Sequence, residues 1–298
     1  MKIHLYLPVI ATLAFTLNTY AQEKKLIRPV FTPEKQFEFT TTLKKDLYEN
    51  KKLSTRQFFE YNFLLTVLSK DTGETIILRA TYKGIHFIID NKKEGKIQGF
   101  DSQYPDSIIS KGKNKGSMAN ENGYLQFNRA MLDQSFTIYL NRKGTIDKVT
   151  GVDSVSDYAL TKVTGMEEEY MQGFRAGIKS SNENEDAKGT FQKAFDYITP
   201  KPAGVGESWV RSGTTDIGDI NVNYTLKAAM GDSLQVFVAA NVLNQKYKMT
   251  INKSGIFTVD AQSGLLRNAR IREEIVSTAA NPNQIRMNTS ENYTLLMK

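Results

Sequence analysis

Hydrophobic and polar positions alternate with a period of two over most of the chain. Phe37-x-Phe39-x-Thr41-x-Leu43 alternates, and so does Phe59-x-Tyr61-x-Phe63-x-Leu65-x-Val67. Thr75 to Leu78 and Ile85 to Ile89 are β-rich runs separated by Gly84. This period places every second side chain on one face, so these segments are expected to be strands with one face buried. Ser69 to Glu74 contains Asp71 and Gly73, which accept the dihedral angles of a tight turn, and reads as a hairpin connection. Further strands are expected at Phe136 to Leu140 and Thr145 to Val152, around the turn Asn141-Arg142-Lys143-Gly144.

Residues 91–123 carry a weaker signal. Lys, Asn, Gly and Ser dominate from Ser110 to Gly123, which reads as a mobile loop beside a short strand near Ile97 to Phe100. Tyr124 to Leu132 fits either a short helix or a ragged strand. Over residues 154–198 the period changes. Val155, Tyr158, Ala159 and Val163 fit one helix, with Ser154 or Ser156 as its cap. Met166, Tyr170, Met171, Phe174 and Ile178 recur at helical steps, and Phe191, Ala194, Phe195 and Ile198 make a third face. Pro200 and Pro202 end the helical segment.

The period then returns to two. Strands are expected at Trp209 to Arg211, Ile220 to Ala228, Leu234 to Val242, Tyr247 to Ile251, Ile256 to Val259, Leu265 to Ile275 and Ile285 to Leu296. The intervening turns fall at Met230 to Ser233, Asn252 to Gly255 and Asp260 to Gly264. The two β segments resemble each other in their hairpins, which suggests related meanders around a helical insert. The expected fold is α+β, a large curved antiparallel β-sheet, half-barrel-like, with a helical segment packed on one face. Its organisation reads as a β meander over 36–153, a helical insert over 154–198 and a β meander over 207–298, within one β-rich domain spanning 22–298.

The first residues have a different composition. Lys2 precedes a mostly apolar stretch from Ile3 to Leu17, and Thr19-Tyr20-Ala21 provides small residues before Gln22. This is the pattern of a cleavable signal peptide over residues 1–21. It implies a periplasmic or secreted mature chain. The chain of 298 residues has no Cys, so disulfides, thiolate nucleophiles and Cys metal sites are excluded. Its 39 Lys and Arg face 32 Asp and Glu, a mild excess that is spread along the chain rather than concentrated in a stripe. A nucleic-acid partner is not expected from such a distribution.

Thr199-Pro-Lys-Pro-Ala-Gly-Val-Gly-Glu-Ser-Trp209 resembles a motif of exported Bacteroidetes-type proteins grouped as a domain of unknown function, with Ala203 and Glu207 departing from that pattern. The layout of strands and helices is also similar to the half-barrel of periplasmic lipoprotein carriers, in which a curved sheet cups an apolar cavity under helices. The first resemblance implies no chemistry, and the second implies a binding function by analogy of fold alone.

The residues themselves offer little catalytic chemistry. His86 is the sole histidine after the leader and lies within an apolar strand, so a site built on several histidines is excluded. Glu167, Glu168 and Glu169 are consecutive, and on a helix they point about 100° apart; they read as acidic residues in a first helical turn. Asn182 to Asp186 lacks the Gly and the terminal Glu of a calcium loop, with Ala187 and Lys193 at those positions. It reads as a capping turn. Gly204-Val205-Gly206 leads into a strand rather than a helix, against a dinucleotide fingerprint.

The sequence therefore points to a non-catalytic protein with no cofactor and no metal. The expected partner is a hydrophobic small molecule, such as a lipid or acyl chain, or a protein of the cell envelope. For a hydrophobic ligand, the candidate cavity wall is Met166, Tyr170, Met171, Phe174, Phe191 and Phe195, chosen because soft and aromatic side chains recur on helix faces there. Two other readings follow from the same residues. One is an interaction protein that docks a partner through strand edges or the loop 110–123. The other is a carboxylate-dependent hydrolase, which needs two converging acidic side chains.

Overall fold

The computed structural model describes residues 24–70, 75–104, 109–111, 118–179, 183–215, 218–244, 248–277 and 284–298. The expected signal peptide, the turn at 71–74 and the centre of the 110–123 loop lie outside the described residues. The first meander contains β1 (Gln36–Glu49), β2 (Lys52–Lys70), β3 (Thr75–Asn91), β4 (Lys96–Asp101) and β5 (Ile109–Lys111). After α1 (Met118–Met131) come β6 (Ser135–Asn141) and β7 (Ile146–Thr150). Three helices follow, α2 (Val152–Thr161), α3 (Glu168–Lys179) and α4 (Asn184–Phe195). The second meander is β8 (Ser208–Thr215), β9 (Gly218–Met230), β10 (Ser233–Asn244), β11 (Met249–Asp260), β12 (Leu266–Ser277) and β13 (Ile285–Met297).

All thirteen strands join one sheet by antiparallel pairing; eleven follow the order β5-β4-β3-β2-β1-β13-β12-β11-β10-β9-β8, while β6 branches off β3 and carries β7 beside it. The path does not close, so the sheet is an open, curved half-barrel with helices on one face. The two meanders meet where β1 pairs with β13, from Phe37 opposite Met297 to Glu49 opposite Ile285. Strand β3 is shared. Its first half pairs with β6 and its second half with β4.

Alternation explains most of this register. In β1, Phe37, Phe39 and Thr41 are buried while their neighbours are not. Tyr293 and Leu295 of β13, Phe257 and Val259 of β11, and Val236 and Val238 of β10 continue the same inner face. The two β-rich runs at 75–78 and 85–89 are one strand. A bulge falls where Asn62 pairs with Gly84 and Phe63 with Tyr82, and it switches the inner face from even to odd positions. The Asp260 to Gly264 turn forms as expected, with the Asp260 Oδ1 accepting hydrogen bonds from the Ser263 and Gln262 amides.

Three local expectations are corrected. The turn assigned to Asn252 to Gly255 is the middle of β11, which runs unbroken through 249–260. Turn-favouring composition is overridden there by pairing on both sides. Gly255 is required for another reason, since a Cβ on it would come 2.5 Å from the Arg270 carbonyl oxygen of the neighbouring strand. The loop assigned to 91–123 holds the short strand β5, and α1 starts inside it at Met118. Helix α2 begins at Val152 rather than at a Ser cap. Its N-cap is Gly151, in the left-handed region, and the Val152 amide is capped from a distance by the Asn184 side chain at 3.0 Å. Of the expected capping turn at 182–186, Asn182 lies outside the described residues, and Glu183 caps α4 through reciprocal bonds with Asp186.

The segment from 24 to 31 is tied down by the Pro-rich motif. Lys25 bridges to Ala203, and the Ile27 amide donates to Thr199 Oγ1 at 2.9 Å. The same segment lies against the 260–264 turn, where the Val30 amide donates to the Ser263 carbonyl. Gly264 has φ +66°, and a Cβ there would sit 2.0 Å from the Arg28 carbonyl oxygen. Gly264→Ala is therefore expected to lower stability by about 2 kcal/mol or more, from positive-φ strain plus displacement of 24–31. Urea unfolding measures it; an unchanged midpoint would show that the segment shifts freely.

Candidate functional site

The helices cover only part of the inner face. Helix α4 lies on it through Phe191, whose ring centroid is 5.1 Å from Phe39, 5.2 Å from Phe63 and 5.8 Å from Phe136. Gln192 fastens the helix to the β6–β7 hairpin, accepting from the Ile146 amide at 2.7 Å and donating to the Gly144 carbonyl at 2.8 Å. Lys193 reaches the opposite meander and pairs with Glu291 of β13 at 2.6 Å. Tyr197, just past the helix, donates to the Gly264 carbonyl at 2.9 Å. The helix is thus anchored to both halves of the sheet.

The expected cavity-wall residues fall into two separate groups. Met171 and Phe174 of α3 are buried, with Phe174 edge-on to Tyr124 at 4.9 Å and to Phe127 at 6.3 Å. Met166 is half-buried and its terminal methyl lies over Gly123 of α1. Tyr170 is 56% exposed. Phe191 and Phe195 are buried on the sheet, Phe195 against Phe31 at 6.3 Å. So α3 meets α1, whereas α4 fills the sheet's concavity with aromatic contacts.

Beyond α4 the inner face continues with no helix over it among the described residues. Registered cross-strand neighbours share a face, so successive rows can be read directly. The first row contains Val238, Gly255, Ile271, Glu291, Leu43, Phe59 and Phe87 in neighbouring strands. The next is polar, with Lys253 opposite Glu273, Glu273 opposite Thr289, Thr289 opposite Lys45, and Lys45 opposite Gln57. The row after that is apolar again, Val242, Ile251, Ile275, Met287 and Leu47. Here the strict buried–exposed alternation is lost on β1, β12 and β13, whose residues on both faces are half-buried. Over this stretch of sheet the alternation persists on β11, where Ile251 and Lys253 are buried. The outer face of this stretch carries Asp46, Arg56, Glu274 and Arg286, with ion pairs between Arg56 and Asp46 and between Arg286 and Glu274. His86 also faces outward, edge-on to Phe58 at 5.1 Å.

At the border between the covered and uncovered parts sits a group of buried polar side chains. Glu291 accepts from Lys193 and, through its other oxygen, from the Tyr293 hydroxyl at 2.8 Å. Burial opposes both charges, but their mutual attraction outweighs it. The Glu291 carboxyl is held below its ordinary value and the Lys193 ammonium above its own. Asp196 follows the opposite balance. Burial pushes its carboxyl up, only partly offset by Gln192, Arg211, Lys253 and the Tyr224 hydroxyl. The Tyr293 and Tyr224 hydroxyls are both pushed up by burial and by the neighbouring carboxylates, so they act as neutral donors.

Sequence reasoning passed over this group, although a signal for it exists. Charges stand in the apolar register of four strands, as Leu43-x-Lys45-x-Leu47, Ile251-x-Lys253, Ile271-x-Glu273-x-Ile275 and Glu291-x-Tyr293-x-Leu295. A charged residue on the buried parity of a strand requires a partner or a ligand.

A second concavity of about 540 Å³ lies between α2 and the start of α4, lined by Asp153, Asp157, Lys179 and Asn184 among others. Its polar groups are engaged with each other, Asn184 with Asp153 and Lys179 with Asp157. No group of three or more His, Asp or Glu side chains converges as a metal site among the described residues. No described helix is long and apolar enough to cross a membrane.

The fold and this surface define an open α+β half-barrel whose inner face is partly covered by helices. The chain belongs to a family of unknown function (DUF6263), whose model matches residues 73–266. No curated protein matches it. Among solved structures it is similar to a lipovitellin chain, from a structure titled for lipid–protein interactions, at 10% identity and TM-score 0.46 over 90% of this chain. The chain spans 25% of that lipovitellin's length. It is also similar to the β domain of the Bordetella autotransporter BrkA, at 6% identity and TM-score 0.29, covering 87% of this chain and 98% of that one. The third is Pseudomonas aeruginosa OccK5, at 8% identity and TM-score 0.25, covering 89% and 98%.

Proposed function

We propose that this is a non-catalytic, exported binding protein that holds a hydrophobic ligand, a lipid or acyl chain, on the uncovered part of its inner face. The observation that carries the reading is the inner-face row of Val242, Ile275, Met287 and Leu47, apolar side chains left half-buried around the buried Ile251. Val242, Ile275, Met287 and Leu47 keep part of their apolar surface in water, and a ligand that removes it contributes at roughly 25 cal/mol per Å². The signal-peptide pattern of residues 1–21 supports a periplasmic or secreted setting, where such ligands need a protein to travel through water.

The test is titration with the uncharged apolar dye Nile red, together with mass spectrometry of lipid extracted from the purified mature protein. Leu47 and Met287 face each other across β1 and β13 and are half-buried, so Leu47→Lys and Met287→Lys leave the core intact. Each is expected to weaken dye binding about tenfold, or about 1.4 kcal/mol, with unfolding midpoints close to wild type. Undiminished dye binding in both variants, with no lipid in the extract, would overturn the reading.

A further inference from the structure

The open sheet ends in strands of two kinds. On one side its path stops at β5, three residues closing on Lys111, and its side branch stops at β7, which carries Asp147 and Lys148. Short length and charge are common means of keeping an edge strand from pairing with another chain. The other end is β8, eight residues long, paired with β9 on one flank and with no described strand on the other. Its outward side chains Ser208, Val210 and Ser212 are exposed and uncharged, Val210 at 55%. Its inward side chains are fixed. Trp209 is buried and stacked on Tyr224 at 6.0 Å, and the Arg211 guanidinium donates to the carbonyls of Lys143, Asp196 and Ile198 at 2.7–2.8 Å. A long edge without charge on its exposed side, held in place from within, is a template for another strand.

We propose that β8 pairs with the β8 of a second copy of this chain, antiparallel, about a two-fold axis at Val210. This register sets Val210 against Val210 of the copy and Ser208 against Ser212 of the copy, so that apolar meets apolar and hydroxyl meets hydroxyl. On the inner side Trp209 stands across from Arg211 of the copy, an aromatic ring facing a cation, and no like charges are opposed. A second copy fits this edge better than a foreign peptide. Strand addition of a peptide takes its specificity from pockets for alternate side chains. Beside β8 the inward positions are filled by Trp209 and Arg211, and the outward ones hold small side chains in water. Such a ladder buries less than about 1,200 Å², the low end of specific interfaces, so the dimer is weak and concentration-dependent. Its axis runs through the sheet, so both inner faces open to the same side.

Sedimentation equilibrium of the mature protein, from low micromolar to near-millimolar concentration, reads the association. A monomer–dimer equilibrium is expected. Val210→Lys sets two ammonium groups opposite each other across the axis and should weaken the dimer at least tenfold. Val210→Thr, uncharged and β-branched, should keep it. Met230→Lys, at the β9–β10 turn where Met230 is 52% exposed, controls for added charge and should dimerise as the wild type does. Hydrogen exchange of the 208–212 amides should slow as the dimer forms. A wild type that stays monomeric throughout would overturn the proposal. So would a dimer that Val210→Lys leaves intact, a loss in Met230→Lys as large as in Val210→Lys, or a dimer whose 208–212 amides exchange as in the monomer.

Discussion

Phe191→Ala is expected to destabilise the protein by about 4 kcal/mol. The Phe191 side chain is 1% exposed, and its ring meets Phe39, Phe63 and Phe136, which belong to β1, β2 and β6. Truncation loses the transfer free energy of the ring and leaves a cavity. It also loses aromatic pairs worth about 0.5–1.5 kcal/mol each in isolation. The surrounding rings are held in a sheet with pairing on both sides, so collapse into the gap is limited. Chemical unfolding monitored by Trp209 fluorescence and by far-ultraviolet circular dichroism reads the loss. Phe191→Leu, which keeps most of the volume, should cost less than half as much. An alanine variant as stable as wild type would show that α4 is not seated on the sheet.

The second large effect is at Glu291. Removing one member of a buried ion pair leaves the other uncompensated, typically a loss of 3–5 kcal/mol. The Lys193 side chain is 44% exposed and can rehydrate, so Glu291→Leu is expected to cost about 2–3 kcal/mol. Lys193→Met combined with Glu291→Leu should recover most of it, since an apolar pair of similar volume fills the same space. A double variant no better than Glu291→Leu would contradict the pairing.

The pH dependence follows from the directions of the shifts. Glu291 titrates below its ordinary 4.5 in the folded chain, so its stabilisation is present above that pH and fades as the pH falls through the folded value. Lys193 titrates above its ordinary 10.5, so its contribution holds below that pH and is lost as the pH rises through the folded value. Asp196 runs the other way in the acid range. Its folded value is raised above 3.8, so it favours the folded state more at low pH. Asp196→Asn should therefore steepen the acid loss of stability. Unfolding midpoints measured from pH 3 to pH 7 test that sign.

The strands were legible because two-residue alternation is a direct imprint of a half-buried sheet. Phe37 to Leu43 and Phe59 to Val67 needed no other information. The Asn252 to Gly255 segment misled because its composition suits a turn, while its actual constraint is the close approach of Arg270 on the next strand. Local sequence carries no record of that neighbour. The start of α1 was hidden for a related reason, since Met118 to Gly123 has little helical periodicity. The cavity-wall residues on α3 and α4 share a pattern in the chain, yet Phe174 meets α1 and Phe191 meets the sheet. Which surface a helix face meets is decided by topology, not by spacing.

The junction of β1 with β13 has a consequence for how the chain reaches its fold. These strands neighbour each other at the centre of the sheet, yet they are roughly 250 residues apart in sequence. Closing a loop of that length costs about 5 kcal/mol of chain entropy before any contact rewards it. The two meanders can each form hairpins early, since their pairings are local. Their union waits for the last strand, which must slot between β1 and β12. Until it does, the flanks of both strands expose unpaired backbone groups, templates for association with other copies. Slow refolding with a concentration-dependent yield is the kinetic mark such a late keystone would leave.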